Sequence, residues 1–405
     1  MLLLVHAGCS LHQPVTVPRL SASLPPFILT FWCGPPLAEF DDSRAEQIAS
    51  AGFNVVGPPC EGGRDRADQL RALNVAARHG LQMWIIDDRV AQDAPKSPDW
   101  EAGAAAVVAD YGAHPALGGY LVVDEPSADD FDAVAQVADW LRAHDPARIA
   151  YVNLLPGYID AKGLGTASYQ EYIDTFVTRV RPRLLSFDYY PFLKEKDRGG
   201  FLRNLGTVRD AALRFGVPFM LIVQAMPHFV YRDPTETELA WQVFHALAYG
   251  ARGISYFAYW TPVDVVGSDR MDFRYGLVEG GRLTRHYFEA ARLNRVTAAI
   301  AEELRSFRSI GVADSTGEIG IAFPIGPIDG IEGGPVTAGL FDDSGRRLAV
   351  LLVNRDFRYE VSAAVRLRAD AAAPEAYDPA SRTWSRPDSL VFRLAPGAAQ
   401  LLRWS

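Results

Sequence analysis

The chain has 405 residues, 49% hydrophobic and 22% charged, and a formal net charge of −9. This composition is globular and excludes a disordered, collagen-like or disulfide-dense chain. The 40 Lys and Arg residues form no basic run, so no nucleic-acid partner is expected, and no later stretch reaches the ~18 apolar residues of a membrane span.

The N-terminal segment has the character of an export signal. An apolar run from Met1 to Val5 is followed by Ala7-Gly8-Cys9, and this pattern resembles the end of a bacterial lipoprotein signal, in which the cysteine receives the lipid. We therefore expect residues 1–26 to be a signal and tether, with a lipid anchor at Cys9. The protein would then be exported, to the periplasm, the outer membrane or the medium.

From Phe27 onward, apolar strand-like runs alternate with amphipathic helical stretches. The predicted strands are 27–32, 53–56, 81–86, 117–123, 149–154, 184–187, 218–223 and 253–259. Near-continuous apolar strands separated by helices indicate a parallel sheet covered on its outer face. No Gly-x-Gly-x-x-Gly follows the first strand, so a (β/α)8 TIM barrel over residues 27–308 is favoured over a doubly wound sheet.

After a last barrel helix at about 282–304, the pattern changes to short alternating strands separated by turn signals. The predicted strands are 348–353, 361–367, 389–394 and 399–404, and the Gly- and Pro-rich segment 326–334 is predicted to be a loop. The sequence thus predicts an α/β barrel followed by a small C-terminal antiparallel β-sandwich, residues 309–405.

The cysteines and histidines suit no zinc site, so neither a metal nor an organic cofactor is expected. Cys33 and Cys60 fall near the ends of the first two predicted strands, which are neighbours in a barrel. They are either a disulfide or two separate buried thiols, and the sequence leaves both open.

Barrel enzymes place their reacting groups at the carboxyl ends of the strands. At these ends, acids and amides alternate with large aromatic residues, a combination that suits a sugar, because rings stack on C–H faces while polar groups bind hydroxyls. We therefore expect a carbohydrate substrate. The predicted substrate-binding residues are Trp32, Glu61, Asp87, Asn153, Tyr189, Tyr190, Gln224, Tyr259 and Trp260.

Glu125 is the sharpest catalytic candidate. It ends the apolar run from Tyr120 to Val123, and Pro126 stops the strand directly after it. A carboxyl group there is desolvated by the barrel, which raises its pKa and suits a general acid.

Three segments carry a resemblance to a known group. The run from His114 to Tyr120 leading into Asp124-Glu125-Pro126, the motif 188–192, and residues 248–254 with Tyr259-Trp260 resemble barrel glycoside hydrolases. The sequence is most similar to clan A retaining glycosidases, including β-galactosidase-like members. The resemblance implies that Glu125, at the end of strand four, is the acid/base.

The sequence departs from this group at strand seven, where the nucleophilic glutamate is replaced by Gln224. Glycosidases ordinarily need two carboxyl groups. Asp188 can supply the second as nucleophile or base, as α-galactosidase-like barrels also use strands four and six. Alternatively, Asp124 can act beside Glu125 in substrate-assisted cleavage, since the Asp-Glu pair resembles that of β-N-acetylhexosaminidases. A loop acid is the third source: Glu61, Asp264 or Glu279.

The first prediction is therefore hydrolysis of a β-linked oligosaccharide or glycoside by Glu125 with Asp188, and the second is substrate-assisted cleavage with Asp124. A function of a different class also remains, a carbohydrate-binding lipoprotein on an inactive barrel, which the Gln224 replacement favours and an intact Glu125 opposes. The sequence identifies neither the monosaccharide nor the linkage or oligomeric state.

Overall fold

The structure, a computed structural model, describes residues 24–62, 65–263, 271–345 and 347–404. The predicted lipid anchor at Cys9 and the loop acid Asp264 lie outside these residues. Within them, no helix is both long and apolar enough to cross a bilayer.

Eight parallel strands form a nearly closed barrel, as predicted. In space each strand neighbours the next along the chain, and β8 pairs with β1. The strands are β1 (Ile28–Phe31), β2 (Val55–Val56), β3 (Gln82–Ile86), β4 (Leu117–Asp124), β5 (Ile149–Leu154), β6 (Leu185–Asp188), β7 (Phe219–Gln224) and β8 (Gly253–Phe257).

Helices cover the outside of this barrel. They are α1 (Asp42–Ser50), α2 (Arg66–Arg78), α3 (Trp100–Tyr111), α4 (Phe131–His144), the short α5 (Ala161–Leu164), α6 (Tyr169–Val180), α7 (Phe201–Phe215), α8 (Glu236–Ala248) and α9 (Arg285–Glu303). Several begin at side-chain caps of the expected kind. Asp41 caps α1 and Ser168 caps α6, while Thr235 and Glu238 form a capping box on α8.

The seam between β1 and β2 is closed by backbone hydrogen bonds, from the Asn54 amide to the Leu29 carbonyl and from the Gly34 amide to the Pro58 carbonyl, together with a side chain and a disulfide. Asn54 donates from Nδ2 to the Phe27 carbonyl at 2.8 Å and accepts from the Leu29 amide at 2.9 Å. Cys33 and Cys60 form a disulfide, with their Cα atoms 4.6 Å apart. Of the two alternatives for these cysteines, the structure therefore has the bond, which ties the first two strand-end loops together.

Apolar residues fill two layers of the barrel. One layer lies between the sheet and the helices and includes Phe31, Tyr120 and Tyr256. The other fills the barrel interior and includes Trp32, Trp84 and Tyr151. The alternation of side chains along each strand produces both layers, since successive residues point to opposite faces.

A two-stranded ribbon, β9 (Val278–Glu279) with β10 (Arg282–Leu283), precedes α9, and two antiparallel sheets follow it. One sheet contains β11 (Arg308–Asp314), β13 (Val336–Asp342), β14 (Leu348–Asn354), β16 (Glu375–Asp378), β17 (Thr383–Ser385) and β19 (Ala399–Trp404). The other contains β12 (Ile328–Glu332), β15 (Val361–Leu367) and β18 (Val391–Leu394).

The β-sandwich packs firmly on α8. The indole Nε1 of Trp241 donates to the Arg355 carbonyl at 2.8 Å, and His245 Nε2 lies 3.2 Å from Thr337 Oγ1. The prediction of a loop at 326–334 is wrong, because β12 pairs with β15 within this segment. Ile328 and Ile331 are three residues apart, with a register shift between Ile328 and Gly330, so the segment lacks the two-residue alternation that indicates a strand.

Candidate active site

Three carboxyl groups meet at the carboxyl ends of β4 and β6. Asp124 ends β4, Glu125 follows it, and Asp188 ends β6. A register shift in β4 between Leu121 and Val123 and a left-handed φ of 50° at Glu125 turn the chain at this point. A non-glycine residue held in that conformation is uncommon and concentrates at functional sites.

The carboxyls of Glu125 and Asp188 interact, and their contact lowers the pKa of Glu125 and raises that of Asp188. Of these two groups Asp188, which is the more deeply buried, therefore holds its proton more tightly. The backbone amide of Glu125 also donates to the Asn153 carbonyl at 2.9 Å, which fixes the turn after β4 against β5.

Asn153 joins the remaining carboxyls. Its Nδ2 donates to Asp124 Oδ1 and to Asp188 Oδ1, both at 3.1 Å. Its Oδ1 accepts from Ser186 Oγ at 3.2 Å, and Ser186 Oγ lies 3.0 Å from the Tyr151 hydroxyl. Asn153 was predicted to bind substrate, but it is only 3% exposed and its amide is engaged by protein groups. Its observed role is to hold the carboxyl cluster together.

Burial raises the pKa of all three acids. For Asp124 burial and then the charge of Glu125 raise the pKa to about 7, against the opposing hydrogen bond from Asn153. Burial likewise raises the pKa of Glu125. For Asp188 burial acts with the charges of both other acids to raise the pKa well above its usual range. At neutral pH the cluster therefore retains protons that ordinary carboxyls have lost.

The three acids differ in access to solvent. Asp124 and Glu125 are exposed, whereas Asp188 is 3% exposed. The two exposed acids are surrounded by protein on their other sides, which reconciles their accessibility with their raised pKa values. Asp124 lines a cleft of about 600 Å³ with Asp88, Gln92, Asp93 and Ser97. A ligand in this cleft meets Asp124 directly.

An aromatic wall lies on the β6–β8 side of the cluster. Tyr190 is half-buried, and its ring centroid lies 5.6 Å from that of Phe257 and 5.5 Å from that of His228. His228 in turn lies 5.8 Å from Phe273. After burial, the charges of Asp188, Glu125 and Asp124 raise the pKa of Tyr190 further, which places this residue beside the acids.

Several wall residues were not among the predicted substrate contacts. Phe257 reads as ordinary packing because it lies inside an apolar strand run. Tyr158 and Tyr231 lie in loops, with hydroxyl oxygens 3.2 Å apart, and the guanidinium of Arg198 stacks 3.7 Å above the Tyr158 ring. Loop residues of this kind carry no periodic signal in the sequence.

The prediction that Gln224 binds substrate is wrong. The residue is fully buried, and its Oε1 accepts from the Phe192 amide at 3.0 Å. Its Nε2 donates to the carbonyls of Phe192 and Arg232 at 2.9 and 2.8 Å. The amide therefore fastens the loops after β6 and β7 to each other, and none of its polar atoms is left for a sugar.

Three other predicted substrate contacts also have structural roles. Asp87 is buried and paired with Arg89 at 2.8 Å. Tyr259 is fully buried with its ring stacked 4.3 Å from Phe31. Trp260 is buried under the Arg44 guanidinium at 5.2 Å.

Tyr189 is 3% exposed and donates its hydroxyl proton to the Gly199 carbonyl. Adjacent strand-end residues point to opposite faces, so Tyr190 rather than Tyr189 faces the site.

Trp32 and the loop acids support the rim. Trp32 is 9% exposed and packs at 5.9 Å on Tyr151, in the interior layer next to Asn153. Glu61 accepts from the Val263 amide and so links the loops after β2 and β8. Glu279 accepts from the Tyr275 amide at 3.0 Å. Among the described residues, no group of three His, Cys, Asp or Glu side chains is arranged to hold a metal ion.

Comparison with solved structures identifies the fold. The chain aligns with a catalytic mutant of a GH42 β-galactosidase from G. stearothermophilus at a TM-score of 0.64 and 8% identity, covering 96% of this chain and 100% of the other. It aligns with a family 5 glycoside hydrolase from Bacteroides vulgatus at 0.57 and 13%, covering 93% and 88%.

A third alignment, with a β-galactosidase from the psychrophilic Marinomonas ef1, has a TM-score of 0.53 and 12% identity and covers 70% of this chain. This chain spans 62% of that enzyme's length. No protein-family model matches the sequence, and no curated protein matches it. The fold is thus that of the clan A-like barrel glycoside hydrolases.

Proposed function

We propose that this protein is a glycoside hydrolase in which Glu125 is the general acid and base. The observation that carries the proposal is the position of Glu125, exposed at the carboxyl end of a barrel strand with a raised pKa and two further carboxyls beside it. A carboxyl that keeps its proton near neutral pH can protonate a leaving oxygen. The shared fold with GH42 and GH5 enzymes supports a carbohydrate substrate, and we propose a β-linked oligosaccharide or glycoside.

The proposed reaction has two stages. The Glu125 O–H gives its proton to the glycosidic oxygen, the C1–O bond breaks, and its electron pair leaves on that oxygen. Glu125, now a carboxylate, then accepts a proton from a water molecule whose oxygen bonds to C1. Between the stages, C1 is held by a nucleophile or attacked directly by that water.

Asp188 and Asp124 remain the candidates for the second group. Asp188 as nucleophile must reach C1, yet it is 3% exposed and its Oδ1 accepts from Asn153. These observations argue against Asp188 as the nucleophile.

The access of Asp124 to the cleft favours the second candidate, substrate-assisted cleavage. There the oxygen of a 2-acetamido group attacks C1, and an adjacent aspartate accepts the acetamide N–H. Asp124 is exposed next to Glu125 and has the cleft in front of it. This version requires no carboxyl on β7, which agrees with the structural role of Gln224.

That role of Gln224 also weakens the alternative of an inactive sugar-binding barrel. The alternative of an inactive barrel depends on Gln224 standing in the place of a lost nucleophile. In the structure its side chain instead binds the backbone of Phe192 and Arg232. The cluster of three raised-pKa carboxyls has no use in passive sugar binding, where such groups bring a desolvation cost.

The test is hydrolysis of a panel of aryl glycosides by the protein and by Glu125→Gln. We expect the variant to lose about 10²–10⁴-fold in kcat/KM for poor leaving groups and much less for activated ones. Glu171→Gln is the matched control, because Glu171 on α6 accepts from the Ala167 amide at 3.0 Å and is not part of the carboxyl cluster. Equal rates for wild type and Glu125→Gln on every hydrolysed substrate exclude this role of Glu125.

We further propose that the protein is exported. The Cys33–Cys60 disulfide supports this, since such bonds persist in oxidising compartments. Cell fractionation, with Cys9→Ala as the comparison, tests export and lipid anchoring together. Recovery of the wild-type protein in the cytosol contradicts the proposal.

A further inference from the structure

A cavity of about 330 Å³ lies between the barrel and the β-sandwich. Its walls come from the second half of α7, the amino end of β7, the turn between α8 and β8, and the start of β11. Glu125 follows the carboxyl end of β4, and the strands of the barrel are parallel to one another. The cavity is therefore at the opposite end of the barrel from the proposed active site.

Three arginines line this cavity, and they are Arg209, Arg252 and Arg308. Among the residues that the structure describes, no aspartate or glutamate lines it. One short stretch of chain brings the three together. Arg252 donates to the Phe307 carbonyl, and Arg209 Nε donates to Ser309 Oγ at 2.9 Å. These two contacts are at most about 7 Å of chain apart, and Arg308 lies between them, so the cavity concentrates positive charge.

The charge of Arg252 has no acidic partner in the described parts of the chain. Its guanidinium donates to the carbonyl of Leu304, at 3.0 Å, and to that of Phe307, both of which are neutral groups. Burial lowers the pKa of Arg252, and no carboxylate opposes this effect. The carbonyl end of a helix carries about half an elementary charge, so the end of α9 offsets only part of this cation.

The other two arginines have one carboxylate between them. Arg209 pairs with Asp210 at 2.9 Å, and Asp210 is itself exposed. Arg308 lies opposite Asp342 in the β11–β13 register, but the Asp342 carboxylate accepts from the Gly345 amide at 2.6 Å. Within the described ranges, Arg308 forms no ion pair, so the three guanidinium groups lack counter-charge.

The remaining polar side chains of the cavity wall are hydroxyl groups. Ser309 Oγ accepts from Arg209, so its own proton can be donated to a ligand. Burial raises the pKa of Tyr249, which therefore keeps its phenolic proton. Apolar side chains form much of the rest of the wall, among them Leu213 and Phe219. The cavity thus combines hydrogen-bond donors with an apolar surface.

We propose that this cavity binds a small molecule that carries a phosphate-type dianion and an apolar group. Guanidinium groups match the geometry of phosphate oxygens, and three of them with one partner carboxylate leave two positive charges to be balanced. A monoanionic carboxylate would balance only half of that charge. The volume suits a small ligand, which would join the barrel to the sandwich through Arg252 and Arg308.

The experiment is isothermal titration calorimetry of the full chain with phenyl phosphate, inorganic phosphate and benzoate at constant ionic strength. Phenyl phosphate carries a dianion and a ring, inorganic phosphate lacks the ring, and benzoate combines the ring with a monoanion. We expect phenyl phosphate to bind most tightly and benzoate about tenfold or more weakly, because charge-assisted hydrogen bonds to the dianion are lost. Benzoate binding as tightly as phenyl phosphate overturns the dianion, and no binding of phenyl phosphate overturns the site.

Two variants locate the binding. Arg308→Gln removes an exposed cation, and we expect it to weaken phenyl phosphate binding about tenfold or more, as Arg209→Gln should also do. The matched control is Arg393→Gln, because Arg393 on β18 is an exposed arginine that pairs with Glu360 at 3.0 Å and does not line the cavity. It should bind as wild type does. Equal affinities of wild type, Arg308→Gln and Arg209→Gln overturn the proposal.

Binding at this cavity should not depend on the proposed active site. Glu125→Gln should keep the affinity of wild type for phenyl phosphate, and a loss of binding in this variant overturns the proposal. If Arg209→Gln does not fold, Arg308→Gln decides. Thermal unfolding is the second measurement, since a ligand stabilises the folded state that binds it. Phenyl phosphate should raise the Tm of wild type more than that of Arg308→Gln, and an equal rise contradicts the site.

Discussion

The side-chain amide of Asn153 donates to Asp124 and to Asp188, both at 3.1 Å, and so joins the ends of two barrel strands, β4 and β6, that are not adjacent. The strand between them, β5, carries Asn153, which reaches Asp188 from the side. An exposed acid is therefore paired with a buried one, and this asymmetry suggests different roles for the two groups.

The identity of the second catalytic group can be tested with Asp124→Ala and Asp188→Ala. If cleavage is substrate-assisted, only glycosides with a 2-acetamido group are hydrolysed, and Asp124→Ala loses about 10²-fold or more in kcat. If Asp188 is a nucleophile, plain glycosides are cleaved, and azide restores Asp188→Ala with inversion at C1. Rates on matched substrates with and without the acetamide separate the two. Robust cleavage of a plain galactoside or glucoside eliminates substrate assistance.

The raised pKa of Asp124 predicts the direction of a stability change with pH. A folded-state pKa of about 7 exceeds the unfolded value of 3.8, so folded protein binds more protons between these values. The contribution of Asp124 to the free energy of unfolding is fully present below pH ~4 and is lost as the pH rises through about 7. The Tm of Asp124→Asn minus the Tm of wild type should therefore be larger at pH 7 than at pH 4.

The control for this measurement is Asp378→Asn. Hydrogen bonds from the Ser381 hydroxyl and the Ala380 amide lower the pKa of the exposed Asp378 carboxyl. Its contribution to the free energy of unfolding is constant above pH ~5, so the difference in Tm from wild type should not change between pH 5 and 7. A constant Tm difference for Asp124→Asn over pH 4–7 contradicts the raised pKa.

Replacing Gln224 by glutamate should not create a nucleophile. In Gln224→Glu the carbonyls of Phe192 and Arg232 lose their donors, and a buried charge faces them. We expect a loss of at least about 2 kcal/mol in the free energy of unfolding, measured by urea denaturation, and no gain in activity. Gln47→Glu, on α1 beside Arg44 at 2.7 Å, should be neutral or stabilising. Increased hydrolysis by Gln224→Glu contradicts the structural role assigned to this residue.

Because Tyr190 belongs to the aromatic wall, we expect substrate binding to need an aromatic ring at position 190. Tyr190→Ala removes the ring beside Phe257 and the carboxyls, whereas Tyr190→Phe keeps it. We expect KM for a hydrolysed aryl glycoside to rise about tenfold in the alanine variant and about twofold or less in the phenylalanine variant. Equal KM values in wild type and Tyr190→Ala would show that the wall does not touch the substrate.

The disulfide should stabilise the barrel seam. It closes a loop with a sequence separation of 27, for which the chain-entropy model gives about 3–4 kcal/mol. We expect Cys33→Ser/Cys60→Ser to lower the free energy of unfolding by roughly this amount and dithiothreitol to do the same to wild type. The reductant should leave the double variant unchanged. A reductant-insensitive wild type with its thiols shown to be free refutes this stabilisation.

The sequence by itself determined the barrel and the sandwich, and it singled out Glu125 as an acid at a strand end. Long apolar runs spaced by helices leave few parallel architectures, and an acid between a buried strand and Pro126 stands out from its neighbours. The β5 strand was predicted to the residue, because its apolar pattern and polar flanks are local properties. The strand β12 was missed, since its pairing with β15 depends on residues far along the chain.

Only the tertiary structure decided which strand-end side chains face the site. The sequence places Tyr189 beside Tyr190 but does not say which ring points inward, because a change of one residue at a strand end reverses the face. It also does not show that Gln224 and Asp87 bind protein groups, or that Asn153 lies between two carboxyls. These partners come from other strands and loops, so their hydrogen bonds exist only once the barrel has closed.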